Sequence, residues 1–231
     1  MIGIIHNINI PEIFAPMWQD YESIILEDDR KYRCERGWDY GAIVHHGEFA
    51  ETDVVIDIGG SISYLFIYLT KFVKESWCID PIFEYGTELT VPWLKTLCHY
   101  DEYLNGKARL HMQNARKLPF PDNSVDKVIT CSAMEHFKHD DDILCAKEVG
   151  RILKPDGIFL GTVDYNYYKE LMPEKYGEAR FYTHDSFKSR ILYPSGLQLF
   201  GEDYLDNEDV PEYTDETKYT IQAMFFKLRK P

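Results

Sequence analysis

The stretch Val54-Val55-Ile56-Asp57-Ile58-Gly59-Gly60-Ser61-Ile62-Ser63 constrains this chain more tightly than any other. A β-branched apolar run of that length reads as a buried strand, and the small residues after it read as a tight turn. Tyr64-Leu65-Phe66-Ile67-Tyr68-Leu69 then reads as an apolar helix. Strand, small-residue turn and helix in this order are the opening unit of a parallel sheet whose crevice lies beyond the carboxyl ends of its strands. Small residues let the backbone approach a ligand, and the helix start offers free N–H groups. A second apolar run, Trp77-Cys78-Ile79, ends at another carboxylate, Asp80, at the distance where an acid meets a ribose diol.

A dinucleotide site is the first candidate, and two features oppose it. The G-x-G-x-x-G turn needs glycine where Ser61 stands. A carboxylate at Asp57 would also repel a pyrophosphate. Asp57 suits a ligand that is cationic at that point, and an amino acid joined to adenosine, as in S-adenosylmethionine (SAM), meets that need.

Four segments then resemble the class I SAM-dependent methyltransferases, in that family's order. Asp57-Ile58-Gly59-Gly60-Ser61 resembles its D/E-x-G-x-G turn, with serine replacing the second glycine. Ile79-Asp80-Pro81 resembles its ribose-binding acid. The run from Asn114 to Asp126 resembles D-A-x-x-L-P-F-x-D-x-S-F-D. Glu148-Val149-Gly150-Arg151-Ile152-Leu153-Lys154-Pro155-Asp156-Gly157 resembles E-x-x-R-V-L-K-P-G-G. The match covers residues 50 to 165 well and the remainder in outline.

The resemblance implies an α/β fold: a Rossmann-like, doubly wound, seven-stranded sheet with its last strand antiparallel. It implies a SAM cofactor, held by Asp57, Gly59, Gly60, Ser61, Asp80, Pro81, Ile82, Asn114, Ala115, Cys131 and Ser132. Asp57 would meet the ammonium group, or else only begin a helix turn. Asp80 would accept from the ribose hydroxyls, or else cap a helix. Pro81 and Ile82 would flank the adenine. Asn114 would meet the adenine amino group, or else shape a turn, and the Ala115 N–H would meet a ring nitrogen. Ser132-Ala133-Met134-Glu135-His136-Phe137 would form the rim facing the methyl acceptor. There His136, a side chain that titrates near neutrality, is the candidate general base; ordering of the rim by Glu135-His136 is the alternative.

A metal is not expected. Some members of the family hold a divalent ion with E-x-x-E-H, but Ser132 stands at the first glutamate position, and the adjacent His45-His46 diverge. The implied activity is methyl transfer to a small-molecule acceptor. An inactive SAM-binding scaffold and a nicotinamide oxidoreductase are the alternatives.

The expected organisation has an N-terminal helical cap over residues 1–50, with helices at Ile13–Leu26 and around Trp38, Tyr40, Ile43 and Val44. The domain proper follows over 51–231. Its strands are expected at 53–58, 76–80, 109–112, 127–131, 158–163, 197–200 and 219–226, and its helices at 62–74, 87–100, 140–153 and 184–191. An aromatic insert at 164–183 is expected as a lid, and its Tyr165, Tyr167, Tyr168 and Tyr182 would line an acceptor pocket or face the sulfonium, or else be ordinary core. Net charge is −14, with Lys and Arg scattered, which opposes nucleic-acid binding. The five cysteines form no C-x-x-C pair and read as reduced core residues. No apolar run approaches the roughly 20 residues of a membrane span, and the apolar start, Met1 to Ile10, lacks a basic leader, so the cytoplasm is the expected location.

Overall fold

The computed structural model of the 231-residue chain describes residues 2–3, 37–60, 65–81, 107–111, 113–166, 179–201, 213–214 and 220–231. The helices expected at 13–26 and 87–100, the middle of the insert with Tyr167 and Tyr168, and the site candidates Ser61 and Ile82 lie outside the described residues.

The strands are β1 (Ile2–Gly3), β2 (Val54–Ile58), β3 (Glu75–Ile79), β4 (Ala108–His111), β5 (Val125–Cys131), β6 (Leu153–Tyr165), β7 (Gln198–Leu199), β8 (Tyr213–Thr214) and β9 (Thr220–Arg229). The helices are α1 (Gly37–His46), α2 (Leu65–Leu69), α3 (Asp141–Ile152), α4 (His184–Phe187) and α5 (Tyr193–Ser195). One sheet runs β4-β3-β2-β5-β6-β9, parallel up to β6. β9 lies antiparallel between β6 and β7, which makes the seven-stranded mixed sheet of the class I methyltransferase fold. β1 adds to β9 beyond this frame through Ile2 opposite Phe226.

The sheet is buried on both faces, and that is why β2 reads as a continuous apolar run. Ile56 and Ile58 join one core with Val128, Phe159, Val149 and Phe226. Val55 joins the other, with Ile129, Leu160, Phe225, Ile43 of α1 and Leu65 of α2. The expected division at residue 50 falls between α1 and β2, yet α1 packs against β5, β6 and β9. Among the described residues, no helix is long and apolar enough to cross a membrane.

The helix expected over 62–74 ends at Leu69. Lys154-Pro155-Asp156-Gly157 makes the turn its proline and glycine suggest, inside β6: Asp156 takes φ +65°, and the pairing jumps from Leu153 opposite Val125 to Ile158 opposite Lys127. The chain's last residues draw it in: the Asp156 N–H donates to the Lys230 carbonyl (3.0 Å) and the Lys230 N–H to the Gly157 carbonyl (2.9 Å). The helix expected to end at residue 191 continues through a π-helical turn, Lys188–Leu192, into α5. Pro194 has no N–H for the Arg190 carbonyl, and the wider turn directly before it relieves the clash. Gly196, at φ +68°, ends the helix.

Candidate functional site

Asp57 lies on the β2 face that also carries Val55, next to the end of the strand. Period-two alternation puts Cys78 and Asp80 on the matching face of β3, since Asp57 and Cys78 are register partners. The two strand tips are tied where the Gly59 N–H donates to the Ile79 carbonyl (2.9 Å), and the Asp80 N–H reaches the His111 carbonyl of β4 (3.3 Å). Three adjacent strands therefore end side by side.

The turn after β2 requires its glycines for two separate reasons. Gly59 has φ +74°, and a Cβ there would stand 2.3 Å from the Ala133 Cβ on the rim after β5. A Cβ on Gly60 would stand 2.6 Å from Asp57 Oδ2. The Gly60 N–H donates to the Cys78 thiol. This backbone passes directly over the carboxylate, as a turn that admits a ligand closely must.

Asp57 has no exposed surface, and neither of its carboxylate oxygens has a hydrogen-bond partner among the described residues. Burial, and then the neighbouring Asp80 charge, hold its carboxyl well above the ordinary range for an aspartate. Asp80 is 6% exposed. A buried carboxylate normally finds donors. An ammonium group would supply both the charge and the donors that these oxygens lack among the described residues.

The other candidates fall around the same strand ends. Pro81 follows Asp80 and is partly buried. Ala115 is buried with Ile58, Ile79 and Met134. Asn114 Oδ1 accepts from the Arg116 N–H (2.9 Å), so its oxygen shapes the turn that presents Ala115. Cys131 and Ser132 close β5, both 8% exposed. Ser132 takes φ +41°, a left-handed conformation costly for a residue other than glycine, and its N–H donates to the Thr162 carbonyl (3.0 Å). A 3-10 turn, Met134–His136, follows; Glu135 is wholly buried in it and His136 is exposed.

Behind this rim is a cluster that motif reading missed. Asp142, in the first turn of α3, is wholly buried. It accepts from Arg190 at 2.8 and 2.7 Å and from the Tyr182 hydroxyl at 2.8 Å, with Arg180 at 3.7 Å. The same side chains hold the rim. The Tyr182 hydroxyl reaches the Met134 carbonyl (3.3 Å), the guanidinium groups of Arg180 and Arg190 donate to the His139 carbonyl, and the Arg180 N–H donates to the Glu135 carbonyl (2.7 Å). Tyr165 and Tyr182, read as pocket walls or as ordinary core, are buried in the core. Each end of the insert is fastened to the other, with the Asn166 N–H on the Tyr182 carbonyl (2.8 Å) and the Tyr182 N–H on the Asp164 carbonyl (2.9 Å).

The E-x-x-R segment has a visible task. Glu148 accepts from the Leu118 N–H (2.8 Å) and pairs with Arg151, while Arg151 donates to the carbonyls of Leu118 (3.1 Å) and Phe120 (2.8 Å). α3 thereby clamps the Leu118-Pro119-Phe120 loop that follows Asn114 and Ala115. The Arg151 hydrogen bonds hold the Glu148 carboxyl below its ordinary value.

Comparison with known proteins agrees with this architecture. Residues 56–161 match the family described as a methyltransferase domain. The uncharacterized methyltransferase YcgJ of Bacillus subtilis is 31% identical over 145 residues, 60% of this chain, and the chain spans about half of that protein's length (53%). The crystal structure of YcgJ superposes with a TM-score of 0.60 at 16% identity, over 83% of this chain and 97% of that one. A putative methyltransferase of Haloferax volcanii, solved with the activator Trm112, gives 0.62 at 17% identity over 88% and 94%. The geranyl diphosphate C-methyltransferase of Streptomyces coelicolor, solved with Mg2+, geranyl diphosphate and S-adenosyl-L-homocysteine, gives 0.59 at 11% identity over 82% and 76%. At such identities the structural likenesses speak for the fold alone. Strand order and antiparallel β9 give this chain the class I methyltransferase fold, and its residues 56–161 are similar to the methyltransferase domain family.

Proposed function

We propose that this protein transfers a methyl group from SAM to a small-molecule acceptor. SAM supplies a methyl carbon already activated by its positively charged sulfur. The protein's work is then to align donor and acceptor and to exclude water. Asp57 would hold the ammonium group, against the Gly59-Gly60 backbone and Ser61. Asp80 would accept from the ribose hydroxyls, with Pro81 and Ile82 beside the adenine and the Ala115 N–H and Asn114 amide at its edge. Cys131 and Ser132 would border the reacting centre, and His136, exposed on the rim, would take the acceptor's proton when the acceptor carries one.

The observation that carries this reading is the pairing of two buried carboxylates on adjoining strand tips, one of them without a donor among the described residues. The S-adenosyl-L-homocysteine in the Streptomyces neighbour supports the choice of nucleoside. A net charge of −14 favours a small acceptor over a nucleic-acid one. Buried free thiols at Cys78, Cys131 and Cys145 suit a reducing compartment such as the cytoplasm.

Calorimetric titration tests the donor: SAM should bind and NADH should not, and the reverse result would overturn the reading. Formation of S-adenosylhomocysteine with a panel of hydroxyl, amine and carbon acceptors then tests transfer. SAM binding without turnover on any acceptor would return the scaffold alternative.

A further inference from the structure

The state of Asp57 before a ligand arrives is a separate question from what it binds. Its side chain is wholly buried, and neither oxygen has a hydrogen-bond partner among the described residues. The Gly60 backbone presses on Oδ2 from one side. Asp80 and the Cys78 thiol face it from β3, and both are buried. β5 contributes Ile129 alongside, with Cys131 beyond it; α2 packs on β2 with Tyr68 as its titratable group; α1, on the same side of the sheet, carries Asp39, Tyr40, His45 and His46. Of these groups, the Asp80 carboxylate is the one whose charge acts appreciably on Asp57, and it acts against ionisation. Two buried carboxylates on neighbouring strand tips each oppose the other's ionisation unless a cation stands between them.

Resting on the methyl-donor reading above, we infer that ligand-free Asp57 holds a proton against Asp80, and that a docking ammonium group expels it to solvent. Binding is then coupled to net proton release, and the pocket discriminates by charge. A nucleoside that brings a protonated amine restores the balance of charge; one that lacks it leaves Asp57 neutral.

The sign follows directly. An ammonium binds the ionised carboxylate, so raising the pH through the free protein's Asp57 titration removes the work of expelling the proton and tightens binding. The window closes where the ligand's own α-amino group begins to titrate, near pH ~7.7–8.0.

The test is calorimetric titration of the full chain with SAM from pH 5 to 7.5, in buffers of different ionisation heat. Proton release should approach one per SAM at the acidic end and decline as the pH rises. Affinity should climb by up to about tenfold per pH unit within the release window. S-adenosylhomocysteine, which keeps the amine and loses the sulfonium charge, should release the same proton. Asp57→Asn should bind SAM more weakly and release none, with its thermal melt reporting that it is folded; the wild-type series decides the matter even where that variant fails to fold. Zero proton exchange in wild type across the whole range would overturn the inference. So would equal release in Asp57→Asn, or release with SAM but none with S-adenosylhomocysteine. Absence of SAM binding at every pH would instead sink the donor reading on which the inference rests.

Discussion

A carboxylate that is buried without donors destabilises a fold unless it is neutral or completed by a ligand, and Asp57, at the tip of β2, is wholly buried with no hydrogen-bond partner among the described residues. Asp80 differs from it in kind, since its place after β3 suits neutral hydroxyls rather than a cation. Replacing Asp80 by alanine should therefore weaken SAM binding by about 1.5–3 kcal/mol, roughly tenfold to a hundredfold, the range for hydrogen bonds to a charged group. Calorimetry measures this, and an unchanged circular dichroism melt would show that the loss is local. Unaltered affinity would take the ribose role away from Asp80. Both acids were legible in the amino-acid sequence because each follows directly on an apolar strand run. The role of Asn114 was half legible: its turn-forming bond to the Arg116 N–H is a local preference of asparagine.

Elements reveal what local patterns cannot. The rim Met134–His136 is held by Tyr182, Arg180 and Arg190, which converge on Asp142 across 38 to 48 residues of sequence. No periodicity or turn signal links those positions, and only packing of α3 against the π-helical turn and α5 brings them together. Asp142→Ala would leave Arg190 and Arg180 without their buried counter-charge. Urea unfolding should show a loss of about 3–5 kcal/mol, whereas a loss under 1 kcal/mol would show the cluster to be dispensable. At the end of α1, burial, then the charges of His45 and Lys227, lower His46 from 6.5 to about 4. A base whose folded value is depressed stabilises the fold above its unfolded value, and that contribution fades as the pH falls through the folded one. Wild type should accordingly lose stability relative to His46→Gln between pH 6.5 and about 4. Parallel stability curves over that range would contradict the assignment. The two adjacent rings do diverge: His45 is exposed, whereas His46 packs against Phe225, a contact no local pattern reveals.

For the molecule as a whole, the places of the parallel strands along the chain were readable because each strand of a doubly wound sheet is an apolar run separated by a helical segment. Antiparallel β9 came with the family resemblance rather than from the residues themselves. Two helix ends escaped: the helix after β2 stops at Leu69 rather than residue 74, and the last helix runs on past residue 191 by widening ahead of Pro194. The whole account depends on one ligand spanning the tips of β2 and β3, and a crystal structure of the protein soaked with S-adenosylhomocysteine tests that most directly. The predicted electron density has the ligand's ammonium on Asp57 and its ribose hydroxyls on Asp80. A ligand bound elsewhere, or bound with either acid turned away from it, would contradict the account.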